Sequence, residues 1–155
     1  MKKVLFVASE GVPFIKTGGL ADVVGSLPKC YNKEEYDVRV ILPKYMCMKE
    51  EWKNKMNYVT HFYMDLAWRS QYVGVLEMQY DGVQFYFIDN EYYFAGPKPY
   101  GNIYQDIEKF AFFSKAALSA LPVIGFKPDI VHCHDWQTGL VPVLLKDKFH
   151  EGEFF

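Results

Sequence analysis

At 155 residues, half of them hydrophobic and 23% charged, the chain has apolar material for one sizeable core and too much for a disordered or fibrous polymer. Its 17 Lys and Arg against 19 Asp and Glu give a formal charge of −2, a balance with no sign of the broad basic surface of a nucleic-acid binder, and no nucleic-acid partner is expected. Three scattered cysteines, Cys30, Cys47 and Cys133, form no Cys-x-x-Cys pair and suit a reducing compartment rather than a disulfide framework.

The start, "MKKVLFVASEG", places two lysines before apolar residues, but the apolar run is too short for a signal peptide and Glu10 interrupts it. No window approaches the roughly 18 apolar residues of a membrane span. A soluble, cytoplasmic protein with no membrane partner is expected. Val4 to Ala8 reads as a strand buried on both faces. From Leu20 the apolar residues Val23, Val24 and Leu27 follow at helical spacing, and Pro28 should end or kink that helix. Asp37 to Pro43 is a second strand, completing a parallel strand-helix-strand unit.

The middle changes character. "YVGVLEMQYDGVQFYFID" has apolar and aromatic runs on either side of Asp81-Gly82, which predicts a β-hairpin. Glu91 to Tyr104 has the Gly, Pro and Tyr content of a surface loop. Ile107 to Leu121 is helical, "KPDIVHCHD" is a short strand, and a last helix should run from Thr138 to about Lys148. Alternating strands and helices define an α/β class: a Rossmann-like open sheet with mainly parallel strands and a β-hairpin excursion. Ligands of such sheets bind beyond the carboxyl ends of the strands, where Ser9–Gly19 and His132–Trp136 both fall and are expected to share a crevice. The chain stops where a parallel sheet would continue, so an incomplete domain is expected.

Two stretches carry chemistry. In "KTGGLADVV", Lys16 precedes Gly18 and Gly19 at a helix start, where unpaired backbone N–H groups bind anions and glycine lets a ligand approach. The bland alternative is a Gly-Gly turn with Lys16 solvated. Neither GxGxxG nor GxxxxGK[ST] is present, so nicotinamide and P-loop readings are disfavoured. Asp22, one turn into the helix, is either part of this site or a helix-start carboxylate favoured by the dipole. In "HCHDW", His132 and His134 share a face of a strand, and with Asp135 they raise a metal-dependent hydrolase as an alternative. The remaining histidines, His61 and His150, stand in no ligand motif, so His132 reads rather as a core residue. Asp135 can accept hydrogen bonds from sugar hydroxyls and Trp136 can face a pyranose ring; a helix-capping Asp and a packing Trp are the alternatives.

"VLFVASEGVPFIKTGGLADVVGSLPK", "YGNIYQDIEKFAFFSKAAL" and "HCHDWQTGLVPVLLK", in that order along nearly the whole chain, closely resemble bacterial glycogen synthase and plant starch synthase. The resemblance implies the GT-B fold and a retaining transfer of glucose from ADP-glucose to the non-reducing end of an α-1,4-glucan, with no metal and no cofactor. It implies that Lys16, Gly18 and Gly19 face the donor diphosphate, and that Asp22 helps hold the donor or the loop. It also implies that Asp135 lies near the transferred glucose and Trp136 by the glucan acceptor, with Tyr100 a further acceptor candidate. Gln137 stands where many bacterial members carry histidine. The resemblance further implies that residues 1–155 are an incomplete N-terminal, acceptor-side domain, lacking the C-terminal nucleotide-binding domain, and are inactive alone; a non-catalytic fragment that binds glucan through Trp136 and neighbouring aromatics is the alternative reading.

Overall fold

The computed structural model describes residues 1–149 and 152–155; His150 lies outside them. Strands β1 (Lys2–Val7), β2 (Tyr36–Pro43), β3 (Asn57–Leu66), β4 (Arg69–Tyr80), β5 (Val83–Asp89) and β6 (Ile130–Cys133) form one sheet of order β3-β4-β5-β2-β1-β6. β5, β2, β1 and β6 run parallel, and β4 pairs antiparallel with both β3 and β5. Helices α1 (Gly19–Ser26), α2 (Glu50–Lys53), α3 (Ile103–Ile124) and α4 (Leu140–Leu144) complete the fold.

β1 is central because its run is apolar on both faces: Leu5, Phe6 and Val7 are completely buried. It pairs with β2 through Val7–Ile41 and with β6 through Val7–Cys133, so β1 and β6 end at one level while β2 runs on to Pro43. The connection from β1 through α1 to β2 leaves toward one edge, and that from β5 through α3 to β6 toward the other. β1 and β6 therefore flank a topological switch point, the place where ligands of such sheets bind.

Several elements differ from expectation. The excursion has three antiparallel strands, because β3 precedes the hairpin and turns into β4 through Ala67 at φ 54°. The β4–β5 turn is the expected Asp81-Gly82, both residues in the left-handed region (φ 50° and 76°) that two-residue hairpins need. The stretch after β5 is largely exposed, as expected of a surface loop, but it is anchored by Tyr93 and Phe94, buried against Phe112 of α3. α3 itself is longer than its apolar period indicated. The Asn102 side chain caps its start by accepting the Tyr104 N–H at 2.9 Å, and left-handed Gly125 (φ 68°) closes its end. The final helix is broken into a 3₁₀ turn (Trp136–Thr138), α4 and a π turn (Leu145–Phe149).

Candidate functional site

The loop after β1 is built around a buried carboxylate. Glu10, 3% exposed, accepts the Thr17 backbone N–H at 2.7 Å and the Thr17 hydroxyl at 2.5 Å. These bonds fold residues 11–17 back over the strand end, beside the Gly11–Ile15 bridge, and deliver Lys16 to the surface at the start of α1. Lys16 Nζ donates to both carboxylate oxygens of Asp22, at 2.9 and 2.8 Å. Both side chains are about half exposed (52% and 54%), so the pair adds at most about 1 kcal/mol of stability. Its consequence is positional: the ammonium is held over the first turn of the helix.

Gly18 is the N-cap of α1 in an extended conformation, and no side chain caps the helix. A Ser or Asp there would fill the first free donors; glycine leaves them open to a ligand. Packing does not demand these glycines. A Cβ at Gly19 would meet nothing within 4 Å, and one at Gly18 only Glu10 Oε1 at 3.9 Å. Open space, uncapped amides and a nearby lysine are the features that anion binding at a helix start uses.

Across the crevice, Asp135 follows β6 with φ 59° and ψ −176°, a region that is nearly glycine-only and costs about 1–3 kcal/mol. Thr138 holds the turn: its hydroxyl accepts the His134 N–H at 2.7 Å and donates to the His134 carbonyl at 2.8 Å. Asp135 occupies the N-cap position of the 3₁₀ turn yet makes no capping bond, and its side chain is exposed. Trp136 is half exposed, set edge-on to Phe110 at 5.7 Å, and borders a groove of about 210 Å³ with Ile107, Ala111, Gln137 and Leu140.

Tyr100 joins the two sides. Its hydroxyl lies 2.6 Å from Ser9 Oγ at the end of β1, while its ring packs on Phe110, which also touches Trp136. Burial pushes the Tyr100 hydroxyl up in pKa, and the nearby charges of Glu10 and Asp135 act in the same direction. The hydroxyl thus faces the loop of Lys16 rather than the Trp136 groove.

His132 and His134 share a face as expected, but they pack against each other (4.2 Å) and against Phe6 (4.7 and 5.2 Å). Burial, reinforced by His132, lowers His134 to a pKa of about 4. Among the described residues no three His, Cys, Asp or Glu side chains converge as a metal set, so His132, His134 and Asp135 do not build a hydrolase centre. A larger cavity, about 430 Å³, lies at the amino ends of β2 and β5. Its Arg39 is already spent on Asp37 and Tyr86, at the end of the sheet where ligands of such folds do not bind.

The chain is an α/β domain of Rossmann-like architecture, with the Lys16–Gly19 loop and the Asp135–Trp136 turn following the neighbouring strands β1 and β6. The family described as "Starch synthase catalytic domain" matches residues 3–155. The chain belongs to that family of glycosyltransferases. It is 72% identical over its whole length to glycogen synthase of Lachnoclostridium phytofermentans, and 52% identical over 153 residues to that of Geobacillus thermodenitrificans. It covers 32% and 31% of those proteins, so it spans about a third of their length. The catalytic domain of starch synthase IV from Arabidopsis thaliana, bound to ADP and acarbose, superposes with a TM-score of 0.84 at 33% identity over 96% of this chain and 31% of that one.

Proposed function

We propose that this chain is the N-terminal, acceptor-side part of a GT-B glycogen synthase that transfers glucose from ADP-glucose to the non-reducing end of an α-1,4-glucan with retention. The observation that carries this reading is the Lys16-Thr17-Gly18-Gly19 cradle opposite the Asp135-Trp136 turn, at the switch point of the sheet. The starch synthase IV domain, similar in fold, is bound to ADP and acarbose, which supports a nucleotide donor and a glucan-side ligand for this chain's family.

As the bond from the anomeric carbon to the diphosphate breaks, negative charge grows on the leaving phosphate. Lys16 and the free N–H groups at the start of α1 stabilise that charge, and water need not reorganise because they are already aimed. Glu10 and Asp22 keep the loop in place. Asp135 sits beside the transferred glucose, and the acceptor hydroxyl enters from the face the diphosphate leaves. Trp136 offers its exposed ring to the glucan. Tyr100 is assigned to the donor loop, since its hydroxyl meets Ser9.

Glucose transfer from ADP-glucose to glycogen, measured with the full-length gene product, tests this. Lys16→Ala should lower kcat by about 100-fold or more, the usual loss when one donor to a developing anion is removed. Equal activity in both proteins would make the loop a turn and nothing more.

A further inference from the structure

We propose that Asp106 and Lys109 of α3 are positioning residues for the donor loop, acting through Tyr100. This rests on the assignment of Tyr100 and Lys16 to the donor side. Asp106 is 3% exposed and Lys109 9% exposed, and they form an ion pair at 3.1 Å, one helical turn apart. A buried pair of this kind is weak evidence for stability, because desolvation cancels much of its attraction; its use lies in fixing geometry. What it fixes is specific. Lys109 Nζ donates to the carbonyl of Pro99 at 3.0 Å, and Asp106 Oδ2 accepts the Gly101 N–H at 2.9 Å.

Each partner therefore grips the backbone on one side of Tyr100. The gripped tyrosine reaches Ser9 Oγ, next to Glu10, whose carboxylate holds Thr17. The chain of contacts runs from the buried pair through Pro99 and Gly101, Tyr100 and Ser9 to the loop that presents Lys16. Phe110, the next residue of α3, is wedged between the rings of Tyr100 and Trp136, so the same helix also backs the opposite side of the crevice. An exposed i,i+3 pair would need none of these backbone contacts.

The test uses the full-length enzyme in a double-mutant cycle. Its members are Tyr100→Phe, the charge-neutral pair Asp106→Leu with Lys109→Met, and their combination; Asp106→Asn with Lys109→Met replaces the pair if the first does not fold. We expect the pair variant to melt as one cooperative unit and to lose about tenfold in kcat/KM for the sugar nucleotide, with the KM for glycogen unchanged. Adding Tyr100→Phe should cost little more, because both changes break one path. Amide exchange should accelerate at Gly101 and also at Thr17. Multiplicative losses, equal losses for donor and acceptor, or acceleration at Gly101 alone would overturn the proposal. The exchange readout needs no turnover. Failure of Lys16→Ala to affect transfer would sink the functional assignment, while exchange at Thr17 would still judge the mechanical link.

Discussion

The strain at Asp135 separates what this residue does for the fold from what it does for chemistry. Glycine reaches φ 59°, ψ −176° freely, so Asp135→Gly releases about 1–3 kcal/mol. That exceeds the roughly 0.5–1 kcal/mol glycine costs through its looser unfolded chain. The variant should melt a few degrees higher than the parent and yet lose glucose transfer in the full-length enzyme. Asp135→Asn keeps the strain and removes the charge, so its melting point should stay while transfer falls. A loss of stability in Asp135→Gly would mean that the side chain holds the turn after all. His134 gives a second test. Its folded pKa of about 4 lies below the ordinary histidine value, so between about pH 6.5 and 4 the unfolded chain binds more protons than the folded one. Its contribution is complete above about pH 6.5 and drains away as the pH falls toward 4. Melting curves across that range should slope less steeply in His134→Gln than in the parent. At this level the sequence was only partly legible. Lys16 and Asp135 stand in recognisable surroundings, but a glutamate between a serine and a glycine looks solvated. Nothing local says that Glu10 is buried on a threonine seven residues away. Asp106 and Lys109 likewise look like an ordinary exposed pair at helical spacing, and only the fold brings Pro99 and Gly101 to them.

Among the helices and strands, α1 is held where it is by the absence of a side chain. A Cβ on Gly25 would stand 2.7 Å from the Val12 carbonyl oxygen and 2.2 Å from Val12 Cγ2. The methyl could turn away, but the carbonyl belongs to the backbone of the loop that carries Lys16. Gly25→Ala should therefore cost about 1–3 kcal/mol by overpacking, read from chemical denaturation, and should weaken donor binding as the loop shifts. Unchanged stability would show that α1 can slide on the loop without penalty. β1 was legible from its short apolar run bounded by Ser-Glu-Gly, β2 from its β-branched residues before Pro43, and the hairpin because Asp81-Gly82 matches the turn it makes. β3 was not. Its aromatic residues Tyr58 and Tyr63 point to solvent at the sheet edge, 62% and 67% exposed, so apolar character does not mark its buried face. α3 begins earlier than its apolar period indicates because capping by Asn102, not hydrophobic period, sets that boundary.

For the molecule as a whole, the legible part was the relation between the two loops. Alternating strands and helices put residues 9–19 and 132–136 at the same end of a sheet, and the pairing of Val7 with Cys133 makes them neighbours. The proposed anion site on the first loop and the exposed indole on the second are separable functions. The chain spans about a third of the length of the curated relatives it matches, and we propose that the reaction draws on residues of the remainder as well. Residues 1–155 alone are thus expected to incorporate no glucose into glycogen from ADP-glucose. Glucan affinity is a different matter, because Trp136 and its groove belong to this chain. Titration with maltooligosaccharides should change tryptophan fluorescence weakly in the 155-residue chain. The change should vanish in Trp136→Ala, although Trp52 and Trp68 remain, and should survive in Lys16→Ala. Glucose incorporation by the isolated chain would mean that the catalytic set is complete here. A fluorescence change that persists without Trp136 would move the glucan contact elsewhere on the sheet.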